Sequence, residues 1–315
     1  MKENKTIVVL GGGGYIGSTL IDLLLKENFK VLAIDNFFKG SCDNLIPFLS
    51  NNNFKFAFGD VTNPEDMKKL LVNADIIINL AALVGFPICR KYPDLAKRVN
   101  VYGMENVLKY RPTLCPILFS STGSVYGEVL DGIATEETTP NPLSIYGKTK
   151  LEAEKLALAE DHTIVYRFAT LFGVGFATTR VDLLLNDFCY QCYNNKSLVV
   201  FQSFYKRNFI HVGDVCQFII HNIKNYFKMY GTYRLYNVGN ESQNYSKADL
   251  CNIIKEYIPF HLTLAETHTD EDRRNYSFSS IRAYNSGWEP KIDVREGIKE
   301  MIKLIPMMKS WKDYS

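Results

Sequence analysis

Long apolar runs are missing from this chain of 315 residues. Nothing near its start approaches the roughly 18 consecutive apolar residues that span a bilayer, so neither a membrane anchor nor secretion is expected. Charge of one sign is scarce as well: 36 Lys and Arg stand against 34 Asp and Glu, a formal net charge of +2. That balance offers no basic surface to nucleic acid or to a membrane. The seven cysteines are an odd number spread over the whole length, which suits reduced thiols in the cytoplasm better than a disulfide framework. Cys189 and Cys192 form one CxxC, yet no second pair and no His stands at zinc-site spacing. Packing within a helix is therefore their expected use, and no metal site is expected. Internal repeats and low-complexity linkers are absent too. What the chain does have is 46% hydrophobic content, enough for a large core shared between two lobes.

The amino-terminal stretch joins three signals in order. Lys5 to Leu10 (KTIVVL) is an apolar, β-branched run that suits a buried parallel strand. It leads into Gly11-Gly12-Gly13-Gly14-Tyr15-Ile16-Gly17, and the amphipathic stretch from Ser18 to Asn28 then predicts a helix. Strand, glycine turn and helix together point to a dinucleotide, because glycine lets the backbone approach a pyrophosphate seated over the free N–H groups of the helix start. A second strand, Phe29 to Ile34, ends at Asp35, which lies 18 residues beyond Gly17. A carboxylate near that spacing accepts from the adenosine ribose hydroxyls. Its neighbour is Asn36, with no Arg to receive a 2′-phosphate, so the expected cofactor is NAD.

A proton-abstracting group is the second signal. Tyrosine, with an ordinary pKa of about 10, is a poor base unless a cation favours its phenolate. Tyr146 and Lys150 stand four residues apart in a stretch, Gly147 to Asp161, whose Lys, Glu, Leu and Ala predict a helix. The Ser120-Ser121-Thr122-Gly123-Ser124 loop supplies hydroxyls nearby in sequence. A YxxxK pattern alone is commonplace on exposed helices; the glycine loop upstream is what gives it meaning.

Between these motifs the chain alternates. Strands are expected at Phe54 to Phe58, Asp75 to Leu80, Pro116 to Phe119 and Thr163 to Phe168, with helices at Pro64 to Leu71 and Asp94 to Tyr110, the latter carrying Asn100. That rhythm predicts an α/β, Rossmann-like doubly wound parallel sheet with ligands at the carboxyl ends of its strands. From about Leu171 it changes: helices are expected at Val181 to Tyr193, Val215 to Met229 and Lys247 to Tyr257, strands at Leu198 to Gln202 and Tyr233 to Val238, and a terminal helix after Gly287 to Lys291. The expected division is residues 1–170 for the nucleotide, with a return to the main sheet near 207–238, and residues 171–315 for a smaller substrate lobe.

Through GGGGYIG, DN at 35–36, GDV at 59–61, NLAALVG, SSTGSVYG, YGKTK, RFATLFG, KRNFIHVGDV, YNVGN and GWEPK, the chain resembles the extended short-chain dehydrogenase/reductase family over nearly its whole length. The resemblance is closest to the NAD-dependent sugar-nucleotide epimerase/dehydratase branch. It implies that Thr122 hydrogen-bonds a sugar hydroxyl, that Tyr146 removes the proton, and that Lys150 lowers the tyrosine pKa and holds the nicotinamide ribose. It also implies that Gly11, Gly14, Tyr15, Ile16, Gly17, Asp35, Asn36, Asp60, Val61, Leu80, Ala81, Ala82 and Asn100 surround the dinucleotide. Val84, Ser124, Thr170, Arg207 and Arg274 would meet a nucleoside-diphosphate sugar, the two arginines at its phosphates. Homodimers paired through two long helices are usual in the family, and those helices match Asp94 to Tyr110 and Gly147 to Asp161.

Departures from the family pattern narrow the chemistry. Sugar-nucleotide 4,6-dehydratases place an acid after the active-site threonine, where this chain has Gly123 and Ser124. What remains is oxidation at carbon 4, as the net reaction or as the first half of an epimerisation. Thr170, Asn208, Val84 and the loop Gly85 to Arg90 also differ from the UDP-hexose 4-epimerase pattern, which implies a different sugar. A non-catalytic binding protein on the same fold is the competing class; retention of Thr122, Tyr146 and Lys150 argues against it.

Overall fold

A computed structural model describes residues 5–265 and 275–312. Seven parallel strands form the central sheet: β1 (Thr6–Leu10), β2 (Lys30–Asp35), β3 (Phe54–Phe58), β4 (Ile76–Asn79), β5 (Ile117–Thr122), β6 (Thr163–Phe168) and β7 (Leu235–Val238). Their order across the sheet is β7-β6-β5-β4-β1-β2-β3, every neighbouring pair parallel. This is the expected Rossmann-like architecture. The sequence explains it directly: every residue of β4, β5 and β6 is buried, as helices covering both faces of a parallel sheet require. Strand β3, at the edge of the sheet, has only Phe54 buried.

Chain order reverses beside β1, with β2 and β3 on one side and β4 to β7 on the other. The crevice above the carboxyl ends at such a reversal is where this fold accepts ligands. Beyond β6 the chain builds a second core from Phe172, Leu185, Phe188, Phe209, Leu250, Ile254, Ile298 and Met301 among others. Cys189, Cys192 and Cys251 are fully buried in it, so the CxxC serves packing. Part of the later chain comes back to the main sheet: β7 pairs with β6, and helix Val212–Lys224 packs on helix Tyr15–Lys26. Among the described residues no helix is long and apolar enough to cross a membrane.

Several boundaries differ from the sequence expectation, each for a local reason. The first helix begins at Tyr15, three residues early, and takes in Gly17. Only glycine fits there, since a Cβ would lie 2.3 Å from Gly11 O. The expected helix from Asp94 to Tyr110 is three pieces: Pro93–Lys97, a wide π turn over Arg98–Tyr102, and Gly103–Tyr110. Val215 to Met229 is likewise two helices, Val212–Lys224 and Tyr226–Thr232. The first ends where the Asn225 side chain donates to His221 O at 2.9 Å and so competes with the backbone ladder. Gly85 to Arg90 is not a plain loop, because Phe86–Lys91 is a short helix with Pro87 in its first turn.

Candidate active site

The amino-terminal wall of the site is the glycine turn. Gly11 sits at φ +78°, and a Cβ on it would come within 2.9 Å of Ala81 N; the glycine is required on both counts. Helix Tyr15–Lys26 starts at Gly14 with no side-chain cap, so its first N–H groups remain available to an anion. Asp35 closes the turn from β2: Oδ2 accepts from Gly13 N at 2.9 Å and Oδ1 from Phe37 N at 2.8 Å. Its carboxylate thus orders the loop as well as facing the cleft.

Asn36 donates to Asp60 Oδ2 at 2.9 Å, and Asp60 Oδ1 accepts from Thr62 N at 2.8 Å. Burial alone would raise the Asp60 pKa, but these donors, with Arg98 nearby, hold it below the ordinary value. Together with Val61, Leu80, Ala81 and Ala82, these groups line a single cleft of about 850 Å³.

The other wall brings the second group of residues into the same cleft. β5 runs farther than expected and delivers Thr122 at its last position, where Thr122 Oγ1 donates to Ser124 Oγ at 3.1 Å. Helix Ile145–Ala159 starts two residues before its expected position, with Ser144 Oγ accepting from Gly147 N at 3.0 Å. This cap places Tyr146 in the first turn. Lys150 follows one turn later, 2% exposed, with its ammonium 4.2 Å from the centre of the Phe119 ring. Burial pushes the Lys150 pKa down to about 7, against the opposing pull of Glu154 and Cys89. Thr122, Ser124, Tyr146, Lys150, Val84, Thr170 and Arg207 all line the cleft. Thr170 Oγ1 is buried with no hydrogen-bond partner among the described residues.

Two expected residues are not seen in the cleft. Arg274 lies outside the described residues. Asn100, expected against the cofactor, commits both amide donors to protein: Leu83 O at 3.2 Å and Thr149 Oγ1 at 2.9 Å, while its Oδ1 accepts from Leu83 N at 2.8 Å. The wide turn over Arg98–Tyr102 swings it toward that loop. It pins the segment after β4 to the Tyr-Lys helix and shapes the cleft from behind.

Sequence reasoning missed a buried network beneath Lys150. Ser121 Oγ donates to Glu154 Oε2 at 2.6 Å, Arg167 pairs with Glu154 at 2.5 Å, and Arg167 Nη1 donates to Tyr126 OH at 2.7 Å. The available signals were the four-residue step from Lys150 to Glu154 and a lone charge inside the apolar strand TIVYRF. Arg180 and Asp182 were missed as well, the only charged residues between Phe168 and Leu184, and both line the cleft. Asp187 does so too, with its Oδ2 taken by Gln191 Nε2 at 2.7 Å.

A model described as the NAD dependent epimerase/dehydratase family matches residues 7–239. UDP-glucuronic acid decarboxylase 6 of Arabidopsis thaliana is 30% identical over 95% of this chain and 88% of its own length. CDP-paratose 2-epimerase of Salmonella typhi is 24% identical over 94% of this chain and 97% of its own. The fold is that of the solved UDP-glucuronic acid 4-epimerase from Bacillus cereus, a complex with UDP-glucuronic acid and NAD, at a TM-score of 0.83, 23% identity, and coverage of 96% of this chain and 99% of that one.

Proposed function

From the membership of this chain in the NAD dependent epimerase/dehydratase family, we propose that it oxidises a nucleotide-activated sugar at carbon 4 to the 4-keto sugar. NAD, the cofactor of the family, supplies the hydride acceptor. The cradle fits it: a glycine turn without room for a Cβ, an uncapped helix start and a ribose-side carboxylate share one cleft. The observation that carries the reaction is the placement of Thr122, Tyr146 and Lys150 on the facing wall of that cleft. Thr122 holds the carbon-4 hydroxyl, Tyr146 takes its proton, and the Lys150 ammonium stabilises the phenolate that receives it.

Elimination of water would need a further acid at the substrate. Among the described residues the cleft's carboxylates are Asp35, Asp60, Asp182 and Asp187; the first two are held by the loop and amide partners described above, Asp187 by Gln191, and Asp182 by the Arg180 guanidinium. In the proposed division, residues 1–170 hold NAD, with a return near 207–238, and residues 171–315 mainly hold the sugar nucleotide. The substrate proposed is a GDP-heptose of bacterial capsule polysaccharide synthesis. The whole chain resembles GDP-heptose 4-dehydrogenases, and Val84, Thr170 and Asn208 depart from the UDP-hexose pattern. A 4-epimerase using the same oxidation as its first half is the second reading, favoured by the relative described as a putative UDP-glucose 4-epimerase of Methanocaldococcus jannaschii.

A sugar carrying deuterium at carbon 4 tests the assignment, since the label is expected on reduced nicotinamide. Label retained at carbon 4 of the keto product would place the oxidation at another carbon. Assembly is proposed as a homodimer through the helical segments 93–110 and 145–159, and sedimentation as a 36.0 kDa monomer at micromolar concentration would refute it.

Cofactor choice is assigned to Asp35. A 2′-phosphate would bring like charge against its carboxylate, so Asp35→Ser narrows the preference for NAD over NADP. It also weakens NAD itself, because Gly13 N and Phe37 N lose their acceptor. Arg at position 36 narrows the preference further through a phosphate contact. An affinity ratio unchanged by Asp35→Ser, in titrations of both cofactors, would remove the carboxylate as the selector.

A further inference from the structure

The segment from Phe172 to Leu184 carries a guanidinium and a carboxylate into the cleft, and the chemistry above uses neither. Its path is fixed at several points. Asn186, fully buried, accepts from Gly173 N at 3.0 Å and donates to Gly173 O at 3.2 Å and to Arg180 O at 2.9 Å. Tyr15 OH, from the glycine turn, reaches Phe172 O at 2.9 Å and Gly173 O at 2.8 Å, and Phe176 N donates to Thr19 Oγ1 at 3.0 Å. A loop tied to both the cofactor helix and the second core holds its side chains in place, as a recognition element must. At its end Arg180 Nε donates to Asp182 Oδ1 at 3.0 Å and Nη2 donates to Asp182 Oδ2. Arg180 lies within electrostatic reach of Tyr146. Its Nη2 lies beside Gly85, where an added Cβ would meet that nitrogen at 3.9 Å, in ordinary contact.

We propose that Arg180 and Asp182 together read a neutral vicinal diol on the carbon-5 substituent of the sugar, so that the site selects an extended, uncharged polyol side chain over a uronate or a plain hexose. The proposal rests on Tyr146 acting at carbon 4, because the carbon-5 substituent is then its neighbour. A solitary guanidinium in this place would favour a carboxylate, which it can grip with two parallel bonds. Paired with Asp182 it presents a locally neutral surface instead. With the Asp182 side chain 60% exposed, water screens its charge, so selection rests on matching a donor and an acceptor together more than on repulsion of a ligand carboxylate.

A hydroxyl both donates and accepts, so each alcohol of a diol can give its proton to Asp182 and accept from Arg180. Of the five guanidinium N–H donors, the Asp182 pair uses two, and three remain. Thr170 lines the same cleft. A site with polar groups to be satisfied discriminates strongly against analogues that lack the matching hydroxyl.

Three sugar nucleotides with one base test this on the NAD-loaded protein: a heptose, the hexose lacking carbon 7, and the corresponding uronate. Binding is measured by calorimetry and turnover by product analysis. The wild type is expected to prefer the heptose to the uronate by roughly 10-fold or more. Asp182→Asn frees the Arg180 charge and shifts that ratio toward the uronate by roughly 10-fold, and Arg180→Lys, which keeps charge but loses the fork, weakens the heptose more than the hexose. Equal effects of both variants on all three sugars, or a wild-type preference for the uronate, would overturn the proposal. Selective binding that shifts as stated with no keto product from any sugar would leave the diol site standing and refute the oxidation instead. Turnover with unshifted selectivity would do the reverse.

Discussion

Tyr146→Phe is expected to bind NAD with unchanged affinity and to lose turnover by ~100-fold or more, the lower range for removing a positioned acid–base group. The substitution deletes one oxygen at the mouth of the cleft and keeps the ring. Ile145 and Tyr146 pack there against the small cluster of Leu83, Cys89 and Ala96, so folding and the cofactor cradle are untouched. On the proposed mechanism Thr122 would still hold the sugar hydroxyl, but the phenol that takes its proton is gone. Single-turnover kinetics beside a cofactor titration separates the two effects. Near-normal turnover would remove Tyr146 from the chemistry. Thr122→Val should cost less, since the base remains and only the hydroxyl's orientation is lost.

Lys150→Met is expected to abolish turnover and yet stabilise the protein lacking cofactor. A lysine whose pKa falls from 10.5 to about 7 on folding binds its proton less well in the native state than in the unfolded one. At 1.36 kcal/mol per unit that penalty has an upper bound of ~4 kcal/mol at pH 7. Between about pH 7 and 10.5 the unfolded chain holds more protons at this residue, so the wild type gains stability as pH rises through that window. Below it both states are protonated and the penalty is constant.

Methionine carries no charge to desolvate and fills a similar volume beside Phe119. Glu154 keeps Arg167 as its partner, so no buried anion is stranded. Urea unfolding at pH 7 and pH 9 is expected to show the variant more stable by roughly 1–4 kcal/mol at pH 7, with Lys150's share of the pH dependence gone. A less stable variant would mean that the ammonium is a structural partner in the apo-protein.

The sequence is most legible where one physical requirement decides a residue. Phe54 to Phe58 and Thr163 to Phe168 carry the same bounds in sequence and structure, because short apolar, β-branched or aromatic runs bounded by polar residues have few other uses. Gly11 and Gly17 are legible because their places admit no side chain. The four-residue step from Tyr146 to Lys150 is legible because helix geometry converts it to a shared face.

Legibility fails where distant residues set the local form. The turn over Arg98–Tyr102 is shaped around the bonds of Asn100 to Leu83 and Thr149, which no helix propensity encodes. Arg180 owes its place to Asn186 and Tyr15, the latter contributed by the glycine turn at the other end of the sequence. Lys150's altered proton affinity depends on burial between β5 and the Phe86–Lys91 helix, a tertiary fact invisible to a YxxxK pattern.

Incubating the purified enzyme and NAD with GDP-heptose, and quantifying sugar and cofactor together, tests the central claim most directly. The 4-keto sugar is expected to accumulate with an equal amount of NADH. An inverted sugar with no net NADH would make the enzyme an epimerase. A product that has lost water or carbon dioxide would contradict the account outright.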